Sequence, residues 1–243
     1  MEIEVPEIAY AQSQPGQFIE ILVDVTWERP LRCPMSIAGI QDNRLSIIYK
    51  TIGISTHSLA TKQSGETISI IGPLGNSFSI AGAGSIPVLV AGGVGLPPLL
   101  WLHQILTKQN ITHYLVIGAQ TGEEHFVKTD QHKNIYLTTD DGSLGRHGTV
   151  IPVVESIIDK TNNIYIYACG PEAMLAAVQD TAFEHNIGGQ LSTESYMACG
   201  FGICQGCVVK RRDFKQADHS YNLRYALVCQ DGPVFNMGEL YFG

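Results

Sequence analysis

Ile86-Pro-Val-Leu-Val-Ala-Gly-Gly-Val-Gly-Leu-Pro-Pro98 decides the fold class. Its apolar, β-branched run reads as a strand buried on both faces, its glycines as a tight turn, and its prolines as the first turn of a helix, where a missing N–H costs nothing. The helical pattern runs on through Leu99-Leu-Trp-Leu-His-Gln-Ile-Leu106. Strand, glycine turn and helix in this order present backbone N–H groups and a helix N-terminus to a nucleotide phosphate. The turn is not G-x-G-x-x-G, so taken alone it also suits a purely structural role.

Downstream the same grammar repeats. Tyr114-Leu-Val-Ile-Gly-Ala119, Ile135-Tyr-Leu-Thr138 and Ile164-Tyr-Ile-Tyr-Ala168 are further apolar strands, and the last leads through Cys169-Gly170 into a helical run from Pro171 to Glu184. Strands alternating with helices predict a doubly wound parallel sheet, whose ligands bind at the carboxyl ends of the strands. Two more junctions sit at such ends, Tyr167-Ala-Cys-Gly-Pro171 and Thr138-Thr-Asp-Asp-Gly-Ser143, the second equally readable as an ordinary Asp-Gly turn.

Upstream the grammar differs. Short strands at Phe18-Ile-Glu-Ile-Leu-Val-Asp-Val25, Leu45-Ser-Ile-Ile-Tyr49 and Thr67-Ile-Ser-Ile-Ile71 are punctuated at Gly16, Gly39, Gly65 and Gly72-Pro73, which predicts a small antiparallel barrel or sandwich. Gly72-Pro-Leu-Gly-Asn-Ser-Phe78 reads as a structural turn at the exit of that barrel. The expected division is a barrel over 1–82, an α/β domain over 83–187 and a small C-terminal module over 188–243, the last with little periodicity and shaped by a cofactor.

That module holds four of the six cysteines. Cys199-x4-Cys204-x2-Cys207 followed by Cys229 has the spacing of plant-type [2Fe–2S] ligands, and Gly200, Gly202 and Gly206 let the backbone close around the sulfurs. A Zn(Cys)4 site is the alternative, since Cys204-x2-Cys207 also suits zinc, although zinc sites more often pair two C-x2-C hooks. Cys33 and Cys169 stand outside this pattern. Clustered cysteines favour metal over disulfides, and so a reducing compartment.

Composition narrows the function classes. Fifteen Lys and Arg against 23 Asp and Glu give a net charge of −8, with no basic stripe to follow a nucleic-acid backbone. The start, Met1-Glu-Ile-Glu-Val-Pro6, has no signal-like n-region or h-region, so a cytoplasmic location is expected. Residues 67–107 carry no charged side chain, but glycines and prolines throughout argue against a membrane span.

Taken together, the motifs resemble the ferredoxin-NAD(P) reductase superfamily and, within it, the electron-transfer subunits of type B dihydroorotate dehydrogenases. The marks are Gly72-Pro-Leu-Gly-Asn76, Gly92-Gly-Val-Gly-Leu-Pro-Pro98, Thr139-Asp-Asp-Gly-Ser143, Ala168-Cys-Gly-Pro-Glu-Ala-Met-Leu175, the Met197–Cys207 loop and Cys229-Gln-Asp-Gly-Pro-Val-Phe235. The resemblance implies an FAD-binding barrel, an NAD-binding domain and a [2Fe–2S] module. It also implies a relay that passes electrons from the FMN of a dihydroorotate-oxidising partner through the cluster and FAD to NAD+ in pyrimidine (UMP) synthesis, in a heterotetramer with two of each subunit. FAD would contact Pro34, Met35, Ser36, Tyr49, Lys50, Thr51, Ser55 and Thr56. NAD would lie over Gly93, Gly95, Cys169, Gly170 and Pro171, and Cys199, Cys204, Cys207 and Cys229 would hold the cluster. No general acid or base is expected; His57 and His103 read as surface or packing residues. Rival readings are a related reductase subunit of a hydrogenase, glutamate synthase or transhydrogenase, or a flavin-free metal-binding regulator.

Three departures from the family pattern stand out. Its flavin motif Arg-Pro-x-Ser is here Cys33-Pro34-Met35-Ser36, and Arg32, one place upstream on a strand, is expected on the other face. Ser55 stands where the family often has glycine. Between Cys207 and Cys229 lie 21 residues, a long insert that includes the basic stretch Lys210-Arg-Arg-Asp-Phe-Lys215, readable as a solvated loop or a partner contact.

Overall fold

The computed structural model describes residues 1–7, 11–23, 31–82, 84–212 and 221–242. The predicted end of the first strand, 24–25, and the insert residues 213–215 lie outside them.

The N-terminal segment forms a five-stranded antiparallel sheet from β1 (Glu2–Glu4), β2 (Phe18–Leu22), β3 (Cys33–Gln41), β4 (Arg44–Ile47) and β5 (Ser69–Leu74), ordered β1-β4-β3-β2-β5. With β1 and β5 as edges, this is a half-barrel among the described residues. A short helix, α1 (Ile54–Ala60), caps it and inserts Leu59 into its core.

The second sheet contains β6 (Ile86–Gly92), β7 (Tyr114–Ala119), β8 (Ile135–Thr139), β9 (Arg146–His147), β10 (Ile164–Cys169), β11 (Gly188–Ser192) and β14 (Val234–Asn236). Its order is β14-β11-β10-β6-β7-β8-β9; all neighbours are parallel except β14, which pairs antiparallel with β11. The alternation of β6 is resolved by two layers. Leu89 and Ala91 face α2 (Leu96–Lys108), while Val88 and Val90 face α3 (Ile151–Ile158) and α4 (Glu172–Glu184). The sheet therefore runs past residue 187, where the sequence reading ended the α/β domain: β11 and β14 come from the segment assigned to the C-terminal module. The rest of that segment forms a two-stranded ribbon of β12 (Val208–Lys210) and β13 (Tyr225–Leu227), with a four-residue helix, α5 (Tyr221–Arg224), before the second strand.

Two features weld these parts. Trp101 of α2 is buried in the half-barrel core beside Ile21, Ile37 and Ile47, so the helix that starts at the glycine turn also serves the barrel. Asn76, just after β5, uses its side-chain amide to hold the stretch that follows Cys229: Nδ2 donates to the carbonyls of Asp231 (2.9 Å) and Val234 (2.8 Å), and Oδ1 accepts from Val234 N–H (2.9 Å). The Asn76 N–H adds a bond to the Gly232 carbonyl at 2.7 Å.

Strand β2 is buried on both sides. Ile19 and Ile21 belong to the half-barrel core, whereas Phe18 packs with Cys207, Val228, Cys229 and Phe235. Glu20 shares the face of Phe18, is fully buried, and among the described residues neither of its carboxyl oxygens has a hydrogen-bond partner. Gly200 sits directly on it: a Cβ there would lie 2.7 Å from Glu20 Cγ. Burial pushes the carboxyl up to about 7 against the pull of the Arg32 guanidinium, and Cys199 adds to the rise.

Among the described residues, no helix is long and apolar enough to cross a membrane.

Two predictions follow from these contacts. Asn76→Ala removes three side-chain bonds and is expected to cost about 2–3 kcal/mol, read as a lower melting temperature together with loss of iron from the purified chain. Glu20 binds its proton more tightly folded than unfolded, so stability falls as pH rises from about 4.5 through 7, by up to about 3 kcal/mol. Glu20→Gln is therefore expected to melt higher than the parent at pH 8.5 and to match it at pH 5. A difference independent of pH would show that the carboxyl is not held protonated.

Candidate functional site

The glycine turn after β6 and the Cys169-Gly170-Pro171 turn after β10 lie side by side, because β6 and β10 are neighbours in register, Ala91 opposite Cys169. Gly95 packs so closely on the Cys169 carbonyl and Gly170 N–H that no Cβ could be accommodated. Gly93 is the reverse: at φ +52° it has open space beside its α-carbon. The N-termini of α2 and α4 both open at this edge, which gives it the positive ends of two helix dipoles. Cys169 is buried opposite Ser192 of β11, and its thiol is pushed up to about 12 by burial, so it contributes packing rather than a thiolate.

Between this edge and the half-barrel lies a cavity of about 210 Å³. Its walls come from three parts of the chain: Phe18, Pro34, Met35, Ser36, Tyr49, Lys50 and Thr56 from the half-barrel, Val94, Pro97 and residues 192–195 from the sheet edge, and Met197 and Pro233 from either side of the cysteines. The volume is below the ~300–1,000 Å³ usual for ligand pockets, so the cavity has room for only part of a dinucleotide-sized ligand. Polar hydroxyls against an apolar floor suit a planar ring with polar edges. A second cavity, about 790 Å³, shares Pro34, Thr193, Glu194, Ser195 and Met197 with the first and runs toward β12 and residues 240–242.

Of the residues expected at a flavin, Pro34, Met35, Ser36, Tyr49, Lys50 and Thr56 line the first cavity; Thr51 and Ser55 do not. The Thr56 hydroxyl instead closes the start of α1, accepting from the N–H groups of Ile52 (3.1 Å) and Gly53 (3.0 Å). Of those expected at NAD, none lines this cavity; Gly93, Gly95, Cys169, Gly170 and Pro171 form the adjoining edge, with Val94 reaching in. Arg32 precedes β3 and is absent from the lining. Its guanidinium donates to Ser69 O (3.0 Å), Ser69 Oγ (3.0 Å) and Glu20 O (3.4 Å). His57 and His103 are outside the lining. The sequence reading missed Ser192–Ser195 as wall, because β11 enters from Gly188-Gly-Gln with no apolar period, and missed Glu124, whose Oε1 meets Lys50 Nζ at 2.8 Å.

The cysteine loop is shaped by backbone N–H groups aimed at sulfur. Gly202 N–H points to Cys229 Sγ (3.1 Å), Cys204 N–H to Cys199 Sγ (3.4 Å), Gly206 N–H to Cys204 Sγ (3.4 Å) and Cys229 N–H to Cys207 Sγ (3.4 Å). Gly200 and Gly202 take positive φ, 78° and 84°, to turn those groups inward. Backbone N–H groups, led by that of Cys204, hold the Cys199 thiol down at about 6. Cys207 and Cys229 sulfurs are 3.2 Å apart and buried, while Cys204 is exposed. Among the described residues, no three His, Cys, Asp or Glu side chains gather to the spacing of a single metal ion. Four thiols with N–H donors on their sulfurs are the donor set that a two-iron cluster takes, since hydrogen bonds to sulfur offset thiolate charge.

Residues 194–241 match the family model described as the iron-sulfur cluster binding domain of dihydroorotate dehydrogenase B. Over 228 residues the chain is 35% identical to the dihydroorotate dehydrogenase B (NAD(+)) electron transfer subunit of Caldanaerobacter subterraneus subsp. tengcongensis, covering 94% of this chain and 87% of that protein. The subunit of the same name from Bacillus caldolyticus is 38% identical over 233 residues, 93% of this chain and 86% of its own length. Among solved structures, an NADH-dependent reduced ferredoxin-NADP oxidoreductase superposes with a TM-score of 0.81 at 27% identity, over 99% of this chain and 84% of that one. Phthalate dioxygenase reductase shares the fold, with a TM-score of 0.64 at 15% identity over 93% and 86% of the two chains. With that extent of identity along nearly its whole length, the chain belongs to the family of dihydroorotate dehydrogenase B electron transfer subunits.

Proposed function

We propose that this chain carries electrons from the FMN of a dihydroorotate-oxidising partner to NAD+ in pyrimidine (UMP) synthesis, through a [2Fe–2S] cluster on Cys199, Cys204, Cys207 and Cys229 and an FAD in the cavity against Met35. The observation that carries the reading is the composition of that cavity, whose walls are drawn from the half-barrel, the carboxyl edge of the parallel sheet and the segments flanking the cysteines. A flavin accepts a hydride and gives up single electrons, which is the exchange needed between a two-electron nicotinamide and a one-electron cluster.

The chain's own residues bind, orient and shield. Phe18, Met35, Val94, Pro97 and Pro233 keep water from the cavity floor, while Ser36 and Thr193 offer hydroxyls at its rim. Lys50 brings positive charge and Tyr49 an aromatic face to the lining, which Thr51 and Ser55 flank in sequence. Gly93, Gly95, Cys169, Gly170 and Pro171 would take NAD, with two helix N-termini facing its phosphates. The functional division we assign is FAD to the half-barrel (1–82), NAD to the sheet built on 83–187 and completed by β11 and β14, and the cluster to the remainder of 188–243.

The catalytic partner binds FMN in this reading, two copies of each subunit form a heterotetramer, and the complex works in the cytoplasm. The test is dihydroorotate-dependent NADH formation by this chain mixed with a dihydroorotate-oxidising FMN subunit. Activity is expected from the mixture and from neither subunit alone, and Cys207→Ser is expected to abolish it while leaving bound FAD. A mixture that oxidises dihydroorotate without reducing NAD+ would assign the chain to another electron acceptor.

A further inference from the structure

Among the described residues, the cavity has one basic side chain in its lining, Lys50, and one acidic, Glu194. A flavin dinucleotide brings a pyrophosphate, two negative charges that need a cation or N–H donors nearby. Arg32 is spoken for on the β5 side by Ser69 and the Glu20 carbonyl, and it is absent from the lining. Lys50 is placed differently. Its Nζ is 2.8 Å from Glu124 Oε1, a bond from the half-barrel to the loop after β7, and Glu124 is braced from behind by the Gln120 N–H at 3.5 Å.

Both side chains of this pair are partly open to solvent, 40% for Lys50 and 23% for Glu124, so the pair itself contributes little. Lysine is a point charge on a flexible four-carbon stem and can exchange one anion for another without rebuilding the backbone. Lys50 holds the Glu124 carboxyl below the usual carboxylate range.

We infer that Lys50 supplies the counter-charge to the pyrophosphate of the bound flavin and that Glu124 competes with that phosphate for it. Glu124 then opposes flavin binding, and an occupied flavin site releases the loop after β7 from the half-barrel. Because binding linkage is reciprocal, whatever holds that loop away from Lys50 strengthens flavin binding by the same factor. The inference rests on the assignment of FAD to this cavity.

The test is FAD titration by fluorescence on the full-length chain stripped of flavin, with circular dichroism confirming the fold of each variant. Lys50→Met is expected to weaken FAD by roughly 10- to 100-fold, and Lys50→Arg to retain most of the affinity. Glu124→Gln is expected to tighten FAD by about two- to fivefold. Arg32→Gln should stay within about twofold, and Lys50→Met/Glu124→Gln should equal Lys50→Met alone, because Glu124 acts only through the lysine. Weakening by Arg32→Gln with a neutral Lys50→Met would overturn the inference in favour of the arginine. Weakening by Glu124→Gln would make Glu124 a brace instead of a competitor and overturn it equally. An unsubstituted chain that binds no FAD would sink the flavin reading along with the inference, whereas a neutral Lys50→Met in a chain that binds FAD sinks the inference alone.

Discussion

The clasp of Asn76 on residues 231–234 is the constraint on which the rest of the site depends. One amide side chain, fully used as donor and acceptor, fixes the exit of the half-barrel to the stretch between Cys229 and β14. That single contact sets where Cys229 meets Cys207, where Pro233 closes the cavity, and where β14 joins β11 at the edge of the second sheet. A segment that supplies a cluster ligand, a cavity wall and a sheet edge within eight residues has little freedom to move without disturbing all three.

Strand β2 carries the same logic inward. With Ile19 and Ile21 in one core and Phe18 in another, the half-barrel and the cysteine module share a wall one strand thick. Glu20, beneath Gly200, puts the only fully buried carboxyl among the described residues on the face toward the cysteines. Trp101 joins the third part, so that the helix that starts at the glycine turn is anchored in the half-barrel.

Much of this was legible in the sequence where local chemistry dictates structure. The β6 run with its glycine turn and prolines forms the strand, turn and helix it predicts, because a both-faces-buried strand has no polar pattern to mistake and proline tolerates only the first helical turn. What could not be read is tertiary. β11 begins Gly188-Gly-Gln and β14 has three residues, so neither carries a period, and both are strands only because the sheet edge offers unpaired backbone. The cavity wall at Ser192–Ser195 follows from β11 and was missed with it. Asn76 reads as a turn residue until residues 231–234, some 155 positions away, arrive at its amide, and nothing around Glu124 announces Lys50. Thr51 and Ser55 stand near the flavin surface in sequence, but α1 turns them off the cavity lining.

The central claim is that one chain holds a two-iron cluster and a flavin around a shared cavity, although its phosphate motif carries cysteine in place of arginine. Counting iron, acid-labile sulfide and released flavin on one anaerobically purified sample tests it most directly. Two irons, two sulfides and one FAD per chain are predicted. Iron and sulfide without flavin, in a chain that also fails to take up added FAD, would contradict it.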